Sequence, residues 1–230
     1  MIQTRREYNY CFTFEDGSKK NFKVVLDGRS RIIRETKKDL PSWTLLSHHQ
    51  CPPCSLDNET HSHCPVAVNI AELVSTFIQS PSHKKCTVSC SSPERLVSKD
   101  TTVQKGLSSI LGLLMATSGC PVMDFLRPLA RFHLPFATVD ESVFRSVAAY
   151  LLRQYFLKDE EQTADFELNN ILGQYEVVKK VNKGMLERIR DISVRDADQN
   201  AIVTLNSLAQ ILEIEIETNL ESLRHYFVEE

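Results

Sequence analysis

The sequence is short of glycine and proline, 7 and 9 among 230 residues, which removes a low-complexity or largely disordered chain. It has no block of basic residues able to track a phosphate backbone, and 27 Lys and Arg against 30 Asp and Glu leave a net charge of −3. No nucleic acid is therefore expected as a partner. Long apolar runs are missing too. The most apolar stretch, residues 107–116, falls well short of the roughly 20 residues that cross a bilayer, so no membrane partner is expected. Residues 1–10 contain neither an apolar signal core nor a small-residue cleavage site, and the expected compartment is the cytoplasm.

What the chain does have is an ordinary hydrophobic content of 42% and seven cysteines. In a reducing compartment these are not expected to form a disulfide framework, and an odd number leaves one unpaired in any case. Metal binding or thiol chemistry is the better expectation.

Alternation opens the chain. Tyr8, Tyr10, Phe12 and Phe14 fall on one face of a strand, with Asn9, Cys11 and Thr13 on the other. Phe22–Leu26 and Arg31–Arg34 flank the turn Asp27-Gly28-Arg29-Ser30, in which Gly28 can supply a positive φ. The simplest reading is a three-stranded antiparallel meander. Residues 41–65 lose all periodicity in a loop rich in His, Cys, Pro and Asn, long enough to need something that orders it.

Periodicity of the helical kind returns at Val66, Ile70, Leu73, Val74 and Phe77, starting after Cys64-Pro65. Cys86–Cys90 and Arg95–Ser98 look like two short strands, with Cys86 and Cys90 as small packed residues. The rest is helical: a buried run over 106–118, a short segment after Cys120-Pro121, and an amphipath bearing Phe144, Val147, Ala148, Leu151, Leu152 and Tyr155. Thr138 and Glu141 have capping-box spacing at its start. A further stripe carries Tyr175, Val178, Met185 and Ile189. Asn182 falls on it and needs a partner, for which Gln104, Gln154 and Tyr155 are candidates. A last stripe carries Ile202, Leu205, Leu208, Ala209 and Leu212. The expected fold is α+β: a small antiparallel sheet with a metal-binding loop and one helix over 1–100, packed as one compact unit on a larger helical bundle over 101–230. Residues 1–157 carry a net charge of +5 and residues 158–230 a net charge of −8, which favours docking of the two parts or an acidic face for an unidentified protein partner.

The chemistry concentrates in Cys51-Pro-Pro-Cys54 and His61-Ser-His63-Cys64-Pro65. Two close chelating pairs, C-x2-C and H-x2-C, can wrap one tetrahedral zinc ion with little loop-closure cost. The expected ligands are Cys51, Cys54, His61 and Cys64. His63 can replace His61, and His48 or His49 lie near enough to compete. Pro65 at a first helical turn places Cys64 at an N-cap, where free N–H groups favour a thiolate. Ser118-Gly119-Cys120-Pro121 repeats the arrangement. Cys120 is thus an alternative fourth ligand, and an all-thiolate set suits either zinc or a [4Fe–4S] cluster.

A second constellation follows. Asp124, Arg127 and Arg131 share a face near Cys120, Pro128 should bend the segment, and His133 lies at its exit. Cys120, His133 and Arg131 are the candidate catalytic residues of a thiol-dependent or redox enzyme. The structural alternative is an Asp124–Arg127 ion pair with a hydrogen-bonded core histidine. The leading expectation is a zinc-stabilised binding or regulatory module. Whether the chain is an enzyme is left open by its residues.

The motifs C-P-P-C, H-C-P, S-G-C-P and F-H-L-P-F, in this order, resemble those of a bacterial family described as a domain of unknown function. The resemblance spans residues 43–227. It implies that Cys51, Cys54, Cys64, Cys120 and His133 belong to one pattern, and it brings no activity with it.

Overall fold

The computed structural model describes residues 5–33, 39–160 and 163–229. Strand β1 (Arg6–Phe14) turns through Gly17, at φ 79°, into β2 (Lys19–Leu26). Tyr8, Tyr10, Phe12 and Phe14 all face inward and are buried, as the period of two requires. After the loop and α1 (Pro65–Phe77) come β3 (Lys85–Ser91) and β4 (Leu96–Thr102), which complete a four-stranded antiparallel sheet in the order β2-β1-β3-β4.

The expected meander is therefore corrected. Arg31–Arg34 is not a third strand: Ile32 makes a single bridge to Leu26, and Arg34 lies outside the described residues. The Asp27 carboxylate accepts the N–H groups of Arg29 and Arg31, at 2.8 and 2.9 Å, and moves the left-handed residue of the turn from Gly28 to Ser30, at φ 60°. The Ile32 N–H donates to the Thr117 carbonyl at 3.2 Å, and the described pairing with β2 ends on a 2.7 Å bond from the Ile33 N–H to the Val25 carbonyl. The free side of β1 is taken by β3, whose inward Cys86, Val88 and Cys90 are all buried.

Helix α2 (Val103–Ala116) lies across the sheet, and Gly106 is where it comes closest. A Cβ there would stand 2.6 Å from Phe12 and 2.8 Å from Val88. A 3-10 turn (Asp124–Leu126) and α3 (Arg127–Arg131) form the segment that Pro128 interrupts, and Asp124 pairs with Arg127 at 3.0 Å. Then follow α4 (Val139–Asp159), α5 (Ile171–Arg190), α6 (Ala197–Glu217) and the short α7 (Glu221–Arg224). The Thr138–Glu141 capping box is present in both directions, at 3.2 and 2.7 Å.

The buried face of α4 is rotated from the expected stripe. Val143, Val147, Tyr150 and Gln154 point inward, while Phe144, Leu152 and Tyr155 are about half exposed. The helix has more apolar residues than one face can bury, and polar partners choose the face. Tyr150 donates to Asp165 at 2.7 Å and Gln154 accepts the Asp165 N–H at 3.0 Å. Gln154 and the exposed Tyr155 are thus not partners of Asn182, which is buried where α5 faces a cavity.

Two apolar cores result. The larger joins the sheet, α1 and α2 to Val178, Met185, Ile189 and Ile202 of α5 and α6. The smaller gathers Val143, Val147, Tyr150, Tyr175 and Leu212. A cavity of about 580 Å³, lined by residues of α2, α4, α5 and α6 among others, lies between them.

Candidate metal centre

The loop is ordered by its own backbone before any ligand is considered. Leu45 bridges to His63, the Leu46 N–H donates to Ser62 at 2.9 Å, and the Cys64 N–H to Thr44 at 2.8 Å, so its two arms run antiparallel. Cys51 and Cys54 occupy a turn closed by a 2.9 Å bond from the Cys54 N–H to the Cys51 carbonyl. Cys64 is the N-cap of α1 with Pro65 at its first turn, as its spacing predicts. Cys120 follows Gly119, whose φ of 83° ends the α2 exit, and its own N–H donates to Ser118 Oγ at 3.2 Å.

One face of α5 holds this loop. Gly184, Arg188 and Asp191 follow one another at i, i+4 and i+7, so they share a line along the helix and its end. At Gly184 a Cβ would come within 3.2 Å of Cys51 Cβ, so only glycine lets the loop pack this closely without displacement. The Arg188 guanidinium, 1% exposed, donates to the carbonyls of Trp43, Leu45 and Leu46 at 2.8, 2.7 and 3.1 Å. Its Nε–H is buried and has no acceptor among the described residues. Asp191 accepts from His49 Nε2 at 2.8 Å, and His48 Nε2 approaches the same oxygen at 3.1 Å.

The electrostatics tie the cysteines together. Burial pushes the Cys51 thiol up to about 12, and Cys54, Cys120 and Cys64 add to the effect in that order. Burial also raises Cys120. The N–H groups of Met123 and Val122 pull it partly back, and Cys64 and Cys54 push it up. Burial lowers the affinity of Arg188 for its proton, and Cys64, Cys51 and Cys54 oppose that. Cys51, Cys54, Cys64 and Cys120 thus lie within one another's field, with Arg188 beside three of them. All seven cysteines are free thiols.

His61 is exposed and its Nδ1 pairs with Thr60 Oγ1 at 2.9 Å, whereas half-buried His63 pairs with Thr44 Oγ1 at 2.8 Å. Among the described residues, His48, His49 and Asp191 are the one trio whose ligand atoms all lie within 4.8 Å of one another. No three of the four cysteine sulfurs are gathered so tightly.

The other constellation is assembled elsewhere. His133 Nε2 shares a 2.5 Å hydrogen bond with the Tyr10 hydroxyl, which also pairs with Ser109 at 2.8 Å. The ring stands edge-on to Tyr8, whose hydroxyl donates to the carbonyls of Ala130 and Arg131. Burial, helped by the charge of Arg145, lowers His133 to about 3, so it is neutral at ordinary pH. It lines the cavity between the cores, and its partners are Tyr10 and Tyr8 rather than Cys120.

Sequence reasoning passed over Gly184, Arg188 and Asp191. One sign was visible: Val181, Met185 and Arg188 fall at i, i+4 and i+7, which puts an arginine on an apolar stripe. A charge on such a stripe must be buried with partners.

No curated protein and no solved structure matches the chain. The family described as Domain of unknown function (DUF6901) matches residues 8–228. With nearly its whole length covered, from β1 to the end of the helical part, the chain belongs to that family.

Proposed function

We propose that this chain is a metal-binding protein in which the thiolates of Cys51, Cys54, Cys64 and Cys120 hold one centre that fastens the loop to α5. The observation that carries this is Arg188. It is buried, its hydrogen bonds go to neutral carbonyls, and its Nε–H has no acceptor among the described residues. The groups that favour its charged form are all cysteines. A buried cation without a counter-charge is strongly disfavoured. Neutral thiols leave Arg188 in that position, whereas four thiolates around a metal centre give it a nearby negative charge.

Spacing bears on the kind of centre. One zinc ion at its usual 2.3 Å Zn–S distance brings four sulfurs to about 3.8 Å from one another. No three of the four sulfurs lie within 4.8 Å of one another, so a single zinc ion requires them to close in, whereas a [4Fe–4S] cluster, whose thiolates are held apart by its own iron and sulfide, takes a wider set. Zinc is the second reading, supported by the C-x2-C-x6-H-x2-C spacing, and requires the exposed His61 ring or Cys120 to close in. In either case the protein supplies the thiolates, the N–H groups of Val122 and Met123 at Cys120, and the Arg188 charge. The working role is a module whose loop is ordered by its metal. A thiol nucleophile at Cys120 has less support, because this thiol is buried and burial disfavours its thiolate.

Elemental and sulfide analysis with a visible spectrum, on protein purified without oxygen or chelator, tests the proposal. Iron and sulfide in equal amounts with broad visible absorption are expected, and loss of both in Cys120→Ser. A colourless protein with one zinc per chain replaces the cluster by the second reading, and a metal-free chain overturns both.

A further inference from the structure

The cavity between the two cores is far larger than the voids of a packed interior, which seldom exceed a water molecule. Its volume of about 580 Å³ lies within the range of small-molecule sites. Leu113, Leu129, Val143, Leu208 and Leu212 make most of its wall apolar. The exposed Lys99, Lys105 and Val139 also line it, so it opens to solvent on that side.

The charged side chains that line it are of one sign. Lys99 of β4, Lys105 of α2 and Arg145 of α4 line the cavity, and no Asp or Glu is among its described lining residues. This happens in a chain whose carboxylates outnumber its Lys and Arg, 30 to 27. Arg145 is held in place, donating to the carbonyls of Leu129 and Phe132 at 3.0 and 2.9 Å. The two lysines have no ion pair among the described residues. Further in, Ser109 and His133, joined through Tyr10, and Asn182 add polar groups to the wall.

We propose that this cavity binds a single-chain amphiphilic anion, an apolar chain ending in a carboxylate, with the chain between α2, α4 and α6 and the carboxylate at Lys99 and Lys105. An uncharged apolar ligand has no use for cations at the mouth, and a cationic amphiphile meets repulsion there with no carboxylate to receive it. None of the four cysteines lines the cavity, so the inference stands apart from the metal centre.

Calorimetric titration of the protein as purified, with laurate and with dodecyltrimethylammonium, provides the test. Laurate is expected to bind one per chain, more weakly as salt is raised, and the cation not to bind. Two variants locate the site. At Gly112 a Cβ would stand 3.6 Å from Leu205, an ordinary contact, so Gly112→Leu should fold while its side chain fills the cavity and abolishes binding. Lys99→Glu with Lys105→Glu, on the exposed rim, should weaken laurate about tenfold at low salt, and decides the matter if Gly112→Leu does not fold. Absence of laurate binding, equal binding of dodecyltrimethylammonium, or affinity untouched by the rim variant overturns the proposal. So does laurate binding that survives in a folded Gly112→Leu protein.

Discussion

Arg188 sends its terminal nitrogens to three carbonyls of the loop, and this makes it the best single point at which to separate the loop from α5. Arg188→Leu keeps the apolar part of the side chain but strands buried carbonyls, each costing about 1–3 kcal/mol when unsatisfied. We expect a loss of about 3 kcal/mol or more in urea unfolding, together with loss of metal. Arg188→Lys should recover little, because a single ammonium cannot serve three diverging acceptors.

Asp198 poses the opposite problem. Its side chain is fully buried, neither oxygen has a hydrogen-bond partner among the described residues, and burial raises its carboxyl to about 7, with Lys20 opposing the shift. Between the ordinary carboxyl value near 4 and about 7, the folded chain keeps a proton that the unfolded chain has released. The contribution of this group to stability is therefore complete below pH 4 and is lost as the pH rises through about 7. In Asp198→Asn that loss should vanish. Denaturation at pH 8 should find the variant more stable than the parent by a few kcal/mol at most, and at pH 4 the two should agree.

At the scale of elements, the contact of α2 with the sheet is set by Gly106. A methyl group there meets Phe12 and Val88, which are both fully buried and cannot move aside. Gly106→Ala gains helix propensity but overpacks the core, and the net change expected from thermal unfolding is a loss of about 1–3 kcal/mol. The reverse case is α4, where the apolar residues offered more than one face and the Asp165 contacts chose among them. Periodicity identified this helix and its capping box, but it could not choose the face, because Asp165 lies beyond the helix end and its bonds depend on how the chain returns.

For the whole molecule, the two net charges of opposite sign are not matched by a broad interface of ion pairs among the described residues. Contacts between the N-terminal part and the later helices are local and specific: His49 with Asp191, Ser82 with Asp196, and Arg188 with the loop carbonyls. The larger core nevertheless runs through both parts, joining Tyr8 and Phe12 to Val178, Met185 and Ile202. One cooperative transition is therefore expected on thermal unfolding, with fluorescence of Trp43 in the loop and far-ultraviolet circular dichroism of the helices changing together. Two separated transitions would mean that the parts fold independently.

Residues close in sequence determined much of this protein without help from its tertiary structure. The inward face of β1, the Pro65 start of α1, the Thr138 cap of α4, the Asp124–Arg127 pair and the donor-rich loop all depend on spacings of a few residues, which local sterics and hydrogen bonding settle. Only the tertiary structure decided which strand lies beside β1, that Cys120 comes into the field of the three loop cysteines, that Arg188 stands beside them, and that a cavity with a cationic rim opens between the cores. Each of these joins segments far apart in the chain. Their meeting is set by which buried surfaces fit and which buried polar groups find partners, and neither condition is written in any short stretch of residues.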